Sequence, residues 1–491
     1  MARRLLETPV WQIVEKIASQ EVSSEEYTAA TIDRIGKVEP TIHAYITVLG
    51  ETTLEKARTV DKQLKRGVKL GKLAGLPIAI KDNICVKGVR ATCGSRMLDN
   101  FVAPYNATVI EKILGENGLI IGKTNLDEFA MGSSTEHSFY GPTRNPWDIS
   151  KVPGGSSGGS AASVSALETS LSLGSDTGGS IRSPAGFCSV VGLKPTYGSV
   201  SRYGLISYAN SLDQIGPLSR DVRSCALLMD CISGHDEKDS TSSISPARDL
   251  VKNTSKPISG LKIGVPKEFF QEGVHEAVSK TVWSAIHNLE KLGAEYIEIS
   301  IPTLKYALAA YYIVAMSEAS SNLARYDGLR YGYRTPDGSL DWSSAFSKNR
   351  RQGFGAEVRR RVMLGTYALS AGYFDQYYLK AQKIRTLLKR GFESAFKKFN
   401  VLIAPSMPIL PFKLGEKIND PLSLYMSDID TVPANLTGIP AISIPGGLYN
   451  GLPIGVQIMA PPFREDILFK IGFMIESSVK IDLTIGEFTH V

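Results

Sequence analysis

Two serines in glycine-rich segments are the residues of this chain best suited to nucleophilic chemistry. Ser156 lies in the run GGSSGGS, and Ser180 follows two glycines in the run SDTGGS. Glycine lets the backbone adopt positive φ and approach a ligand closely, and N–H groups at strand and helix ends favour negative charge. A flexible linker has a similar composition, but the flanking runs SAASVSAL and LETSLSLGSD are typical of a helix and a buried strand. We therefore predict a serine nucleophile in a cradle of backbone donors.

No histidine accompanies these serines, so another residue must act as the base. The six histidines are scattered through the sequence at His43, His137, His235, His275, His287 and His490. The run GGSSG matches the pattern of a hydrolase nucleophile elbow, but two prolines in the preceding NPWDISKVP argue against the strand that an elbow needs. There is no P-loop motif to cradle a phosphate. A lysine is a workable base if burial lowers its pKa enough to make it neutral.

Lys81 is the candidate for this base. It follows the apolar, strand-like run Leu76–Ile80 and precedes Asp82, so a buried strand would deliver a charged pair at its end. A lone lysine in such a place is more commonly exposed to solvent. A charged pair directly after a buried strand nevertheless indicates a cleft, and we predict that Lys81 faces one.

The runs KDN, PGGSSGGSAA and GSDTGGSIRSPA, in this order, resemble the amidase signature family. The match is dense from about residue 73 to 217 and continues more weakly to the C-terminus. The resemblance implies a nucleophile at Ser180, a bridging serine preceded by a cis peptide bond at Ser156 and a base at Lys81. It also implies an oxyanion hole formed by the backbone N–H groups of Thr177, Gly178 and Gly179.

Three later segments resemble one branch of this family, the A subunits of tRNA-dependent amidotransferases. They include YYIVAMSEASSN, EVRRRVMLGTYALSAGYFDQYY and YMSDIDTVPANLTGIP. The resemblance implies that Tyr311, Arg360 and Asp428 hold free glutamine. An arginine suits the α-carboxylate and an aspartate suits the α-ammonium group. Tyr312 is an alternative for the tyrosine, and because Arg360 lies among three consecutive arginines, its assignment is open by one position.

The same resemblance implies a glutaminase that works in a heterotrimer with B and C subunits. It would hydrolyse glutamine to glutamate and ammonia, and the B subunit would use the ammonia and ATP to convert Glu-tRNA(Gln) to Gln-tRNA(Gln). We expect no cofactor or metal in this chain, with ATP and Mg²⁺ at the partner subunit, which would also make most of the tRNA contact. Two alternatives are a free-standing amidase for a small or aryl amide and a non-catalytic subunit whose glycine loops bind an anion.

Composition limits the remaining classes of protein. The 491 residues are 43% hydrophobic and 21% charged, as in ordinary globular proteins, and the net charge of +6 is too mild to indicate a DNA-binding protein. The sequence has no apolar run of 18 residues, so we expect no membrane span. Five cysteines without a C-x-x-C pair indicate reduced packing residues, Cys188 included, and hence a cytoplasmic protein.

Alternating strand and helix patterns predict an α/β fold: one large domain over residues 1–491, with a mixed central β-sheet covered by helices on both faces. We expect residues 73–217 to form the signature core and residues 304–388 to form a helical substrate-binding region. Within the latter, the polar segment 327–353 is predicted to be a loop and is a candidate for partner contact. Five aromatic residues that follow it at near-helical spacing are predicted to pack in the core: Tyr367, Tyr373, Phe374, Tyr377 and Tyr378.

Overall fold

A computed structural model describes residues 2–244 and 249–479. In this part of the chain eleven strands form one sheet, in the order β1-β3-β2-β4-β6-β5-β10-β11-β9-β7-β8. The β2 strand pairs in parallel with β3 and β4, and β7 pairs in parallel with β8 and β9, while the remaining pairs are antiparallel. The strands are β1 Tyr45–Val48, β2 Pro77–Lys81, β3 Leu119–Thr124, β4 Leu171–Asp176, β5 Val191–Lys194, β6 Gln214–Ser219, β7 Lys262–Pro266, β8 Glu295–Ile299, β9 Val401–Pro405, β10 Ala441–Tyr449 and β11 Leu452–Met459.

Helices connect and cover these strands. The α-helices are α1 Ala2–Glu7, α2 Val10–Ala18, α3 Ser24–Ile42, α4 Gly50–Lys65, α5 Thr108–Gly115, α6 Gly158–Ser165, α7 Arg182–Cys188, α8 Val222–Ile232, α9 Leu250–Asn253, α10 Glu276–Lys291, α11 Ala307–Asn322, α12 Trp342–Gly353, α13 Ala356–Ala368, α14 Lys380–Phe396, α15 Pro421–Met426, α16 Val432–Thr437 and α17 Glu465–Ser478. A π-helical turn, Asp375–Leu379, leads into α14.

The sheet carries a hydrophobic core on each face. Successive strand residues point to opposite faces, and in β9 Val401 and Ile403 belong to one core while Leu402 and Ala404 belong to the other. Helices α2, α3, α5, α8, α10 and α17 contribute to the first core, and α11, α13, α14 and α16 contribute to the second. The prediction of a mixed sheet with helices on both faces is therefore confirmed. No helix among the described residues is long and apolar enough to cross a membrane.

The prediction of a loop over residues 327–353 is wrong in its second half, which forms α12. Asp341 begins this helix because its carboxylate accepts hydrogen bonds from the N–H groups of Ser343 and Ser344. The helix has few buried side chains, so the hydrophobic periodicity that identifies most helices is weak in the sequence.

The prediction that the five aromatic residues after α12 pack in the core is also wrong, because four of them are exposed and Tyr378 is only half-buried. The side chains of Tyr367, Tyr373, Phe374 and Tyr377 are all exposed, by 47% in the case of Tyr367. Their near-helical spacing does place them on one surface of α13 and of the turn that follows it. This surface faces solvent, because α13 and α14 bury their other sides against α11.

Candidate active site

Lys81 lies at the centre of a fully buried polar cluster. The β2 strand lies inside the sheet, between the parallel strands β3 and β4, and ends at this residue, so the side chain emerges where three strands end together. Its Nζ atom is 2.8 Å from the hydroxyl of Ser156, 2.8 Å from that of Ser157 and 3.0 Å from that of Ser175. The contact between Lys81 and Ser156 is the one that the sequence predicts for a base and its bridging serine.

Burial lowers the pKa of Lys81 from 10.5 to about 7, although the surrounding carboxylates, Asp127 first, oppose this shift. The physical cause is that a charged ammonium loses its hydration in the interior and regains little from neutral hydroxyl groups. A neutral amine at this position has a free lone pair. It can therefore accept a proton from the hydroxyl of Ser156 at ordinary pH.

The two glycine-rich segments lie against each other. The peptide bond between Gly155 and Ser156 is cis, and the N–H of Ser157 donates to the carbonyl of Ser180 at 3.0 Å. The side chain of Ser180 is 7% exposed. Its hydroxyl has no hydrogen-bond partner within residues 2–244 and 249–479, so it is free to approach a substrate.

A buried ion pair fixes the turn that carries Ser180. The carboxylate of Asp176, at the end of β4, accepts hydrogen bonds from the N–H groups of Gly179 and Ile181 at 2.8 and 3.1 Å. Arg182 pairs with the same carboxylate at 3.0 Å, and both side chains are fully buried. Burial would raise the pKa of Asp176, but the charge of Arg182 outweighs this effect and lowers it. The turn is thus held in one conformation before substrate binds.

The predicted oxyanion donors differ in their availability. The N–H of Gly179 donates to Asp176, whereas those of Thr177 and Gly178 donate to no other group in the described part of the chain. The N–H of Ser180 is also unpaired there. A side chain at position 178 would collide with the hydroxyl of Tyr311, which explains the need for glycine at this position. Thr177, Gly178 and Ser180 therefore present free donors beside the candidate nucleophile.

A second polar cluster lies on the segment that contacts this turn. Thr431 donates to the carbonyl of Gly178 at 2.6 Å. Three residues earlier, the carboxylate of Asp428 accepts hydrogen bonds from Tyr312 at 2.7 Å and from Ser133 at 2.8 Å. Burial raises the pKa of Asp428 to about 6, with both hydroxyls opposing the shift. The structure therefore brings Asp428 close to the turn that carries Gly178 and Ser180.

Arg361 faces this cluster more directly than Arg360 does. The Arg361 side chain is buried, bonds to Glu357 at 2.7 Å, and its guanidinium lies 5.5 Å from the ring centre of Tyr312. Its Nη2 atom is buried without a hydrogen-bond partner among the described residues. Arg360 pairs with the other oxygen of Glu357, but its side chain is 40% exposed. The assignment of Arg360 to the glutamine carboxylate stays a prediction, with Arg361 as its better-placed neighbour.

The chain is similar to proteins of known family and known structure. The family model described as Amidase matches residues 26–469. The chain belongs to the amidase family. It is 57% identical over 469 residues to the A subunit of glutamyl-tRNA(Gln) amidotransferase from Methanosarcina barkeri, covering 96% of each protein. It is 42% identical to the crystal structure of the corresponding protein from Thermotoga maritima, with a TM-score of 0.81 and 96% and 95% of the two chains covered. A bacterial aryl acylamidase shares the fold, with a TM-score of 0.84 at 24% identity.

Two polar residues of this amidase site, Ser157 and Ser175, were not singled out from the sequence, and both contact Lys81. Arg361 was open in the sequence only as a neighbour of Arg360, and it lies among the aromatic rings near Asp428. Ser157 is adjacent to Ser156, and Ser175 directly precedes Asp176 in β4, so their positions next to the motifs were the available signal. No sequence signal separated Arg361 from Arg360, because the apolar residues Met363 and Leu364 that follow Arg361 are exposed.

The remaining candidate nucleophile, Cys188, lies in the protein interior. Cys188 is fully buried, and burial raises the pKa of its thiol far above the usual value. Its Sγ atom lies 3.4 Å from the carbonyl of Pro153. Such a thiol is a packing residue. In the described part of this amidase, no three His, Cys, Asp or Glu side chains are placed to hold a metal ion.

Proposed function

We propose that the chain is the glutaminase component of a tRNA-dependent amidotransferase, with Lys81, Ser156 and Ser180 as its catalytic residues. One observation carries the choice of substrate. A buried guanidinium with an unpaired N–H group and a buried aspartate lie around the same tyrosine, next to the turn that holds the nucleophile. Relatives of this chain that are more than 50% identical carry the name of the A subunit of glutamyl-tRNA(Gln) amidotransferase.

The proposed reaction has two stages. Neutral Lys81 takes a proton from Ser156 while Ser156 takes the proton of Ser180, whose oxygen attacks the side-chain amide carbon of glutamine. Free N–H groups at Thr177 and Gly178 stabilise the oxyanion, and losing one such donor typically costs about 3–4 kcal/mol of barrier. The proton returns from Lys81 through Ser156 to the amide nitrogen, so that ammonia leaves and a glutamyl ester remains on Ser180. A water molecule then gives a proton to Lys81 through Ser156 and attacks the ester carbonyl. The proton returns by the same path to the oxygen of Ser180, and glutamate leaves.

Selection of glutamine rests on its α-carboxylate and α-ammonium groups. The unpaired Nη2 of Arg361 is a donor for the carboxylate, with the half-exposed Arg360 as the alternative. The ionised carboxylate of Asp428 is the acceptor for the ammonium group. Tyr312 positions Asp428 by its hydrogen bond, and Tyr311 closes the pocket above Gly178. An amide that lacks the α groups leaves these buried polar residues without partners, which disfavours its binding.

The proposal assigns the later steps to partners. The A-subunit names of the relatives imply B and C subunits. We propose that the B subunit holds ATP, Mg²⁺ and most of the tRNA, and that this chain works without a cofactor in the cytoplasm. Within the chain, residues 73–217 supply the catalytic core and residues 304–388 supply substrate-binding residues.

Glutamine hydrolysis by the chain, alone and then with the B and C subunits, Glu-tRNA(Gln) and ATP, tests this function. We expect strong stimulation of glutamate release by the complete mixture and formation of Gln-tRNA(Gln). An aryl amide offered to the chain alone serves as the comparison substrate. Rapid hydrolysis of the aryl amide, with glutamine turnover that the partners leave unchanged, would instead identify a free-standing amidase.

A further inference from the structure

An apolar surface of α13 and the turn that follows it is exposed in the isolated chain. Met363 is 72% exposed, and neighbouring side chains on the same outer side are exposed by 37–47%. We call this set the aromatic surface, and it consists of Met363, Leu364, Tyr367, Tyr373, Phe374 and Tyr377. Soluble proteins seldom leave contiguous apolar patches of this kind uncovered unless a partner binds there.

The rings of the aromatic surface pack on one another. The ring centres of Tyr367 and Tyr373 are 4.5 Å apart, and Tyr377 lies 5.9 and 6.1 Å from them. Phe374 stacks on Tyr378 at 5.3 Å. The π-helical turn 375–379 is wider than an α-helical turn, and none of its residues is buried. The aromatic surface is therefore a layer of side chains that contact one another and leave their outer sides exposed to solvent.

Exposed charged side chains on the two helices that flank this layer are mostly basic. Helices α13 and α14 expose five cations to solvent, whereas the exposed acids of α14 and of the turn before it are Glu393 and Asp375. The cations are Arg359, Lys380, Lys383, Lys389 and Arg390. A complementary partner has an apolar centre and an acidic rim, because charge complementarity guides association and suppresses wrong partners.

We propose that the aromatic surface docks a protein partner with an apolar centre and an acidic rim, and, resting on the proposed function, that this partner is the B–C pair of the amidotransferase. Aromatic and basic residues together also suit single-stranded nucleic acid. A protein partner is favoured because Met363 and Leu364 belong to the layer and because its tyrosine rings already pack on one another at tilted angles. A binding platform for bases presents separate ring faces instead.

This surface is joined to the candidate glutamine site by one rigid helix. The α13 helix carries Met363 on its outer side and Arg361 on its buried side. At Gly365 the helix lies so close to α11 that a Cβ atom would collide with the carbonyl of Met316. The α11 helix in turn carries Tyr311 and Tyr312. A partner on the outer side of α13 therefore lies one helix away from the residues proposed to bind glutamine.

Binding of the full chain to the purified B–C pair tests the proposal. We expect the double variant Tyr373→Glu/Tyr377→Glu to weaken binding at least tenfold, because two carboxylates would enter an apolar contact that faces acidic groups. Tyr449→Glu is the matched control: Tyr449 is 42% exposed and lies in the β10–β11 hairpin, away from α13. Basal glutamine hydrolysis and the circular dichroism spectrum should be unchanged in both variants. Hydrogen exchange in residues 363–379 should slow when the pair binds.

The outcomes separate this proposal from the proposed function. Unchanged binding by the double variant, or unchanged exchange in residues 363–379, overturns the docking surface even if the wild-type complex makes Gln-tRNA(Gln). A wild-type complex without glutaminase activity refutes the proposed function instead. A double variant that binds the B–C pair normally but loses affinity for a tRNA(Gln) transcript identifies a nucleic-acid surface and also overturns the proposal.

Discussion

Replacing Lys81 tests whether a neutral lysine is the base of this amidase. At pH 8 an ordinary lysine with a pKa of 10.5 is neutral in roughly 0.3% of molecules, whereas one with a pKa of about 7 is neutral in roughly 90%. The lowered pKa corresponds to about 5 kcal/mol in favour of the neutral amine at this fully buried position. Lys81→Met and Lys81→Arg should therefore be equally inactive, since a guanidinium cannot be deprotonated in a protein. A positioned base typically contributes about 10²–10⁴-fold to the rate.

The lowered pKa of Lys81 also predicts how activity and stability change with pH. Protonation removes the base, so kcat/KM for glutamine should reach a plateau above about pH 7 and fall about tenfold per pH unit from about pH 7 to 6, and more steeply below about pH 6, where protonation of Asp428 adds to the loss. Between pH 7 and 10.5 the unfolded chain binds a proton that native Lys81 has released, so this lysine makes the unfolding free energy rise with pH in that window. The assay is glutamate release measured from about pH 5.5 to 9.

Lys194 provides the matched control. Burial also lowers its pKa to about 7, but its Nζ atom donates to the carbonyl of Pro195 and contacts neither serine. Lys194→Met should keep most of the activity and the same acid limb. Activity in Lys81→Arg above about a tenth of the wild-type value, or a flat profile between about pH 5.5 and 7, would refute the role of Lys81.

Three further predictions concern the substrate and the thiol. Arg361→Ala should raise KM for glutamine about 10- to 100-fold through the loss of a charged hydrogen bond, and leave hydrolysis of an amide without α groups nearly unchanged; a larger effect of Arg360→Ala would reassign the carboxylate contact. KM for glutamine should rise as the pH falls through about 6, since protonated Asp428 cannot pair with the ammonium group, and this dependence should vanish in Asp428→Asn. Because the Cys188 thiol is buried, glutaminase activity of the wild-type chain should resist alkylating reagents, and Cys188→Ala should keep this activity; loss of turnover with an intact fold would give the thiol a role.

The sequence was most informative where a motif and a strand end coincide. Lys81 ends a buried strand, and Ser180 follows the next parallel strand in the sheet, so the topology alone brings the two segments together. The positions of Ser156 and Ser180 in glycine-rich turns follow from the conformations that those turns require. The assignment of these residues to catalysis remains a prediction for the experiments above.

The sequence was least informative where tertiary packing decides which side of a helix is buried. Arg360 and Arg361 have identical side chains, and only the packing of α13 against α11 turns one inward. The exposure of Tyr373 and Tyr377 has the same origin, because helical spacing indicates that residues share a side but not whether that side meets protein or solvent.

The most direct test of the central claim is to locate the acyl group. Acid quenching during turnover with glutamine, followed by peptide mass spectrometry, should place the mass of a glutamyl ester on Ser180. The ester should accumulate in a variant that slows deacylation and should be absent from Ser180→Ala. A glutamyl adduct on Ser156 or Cys188, or glutamine turnover by Ser180→Ala, would contradict the account.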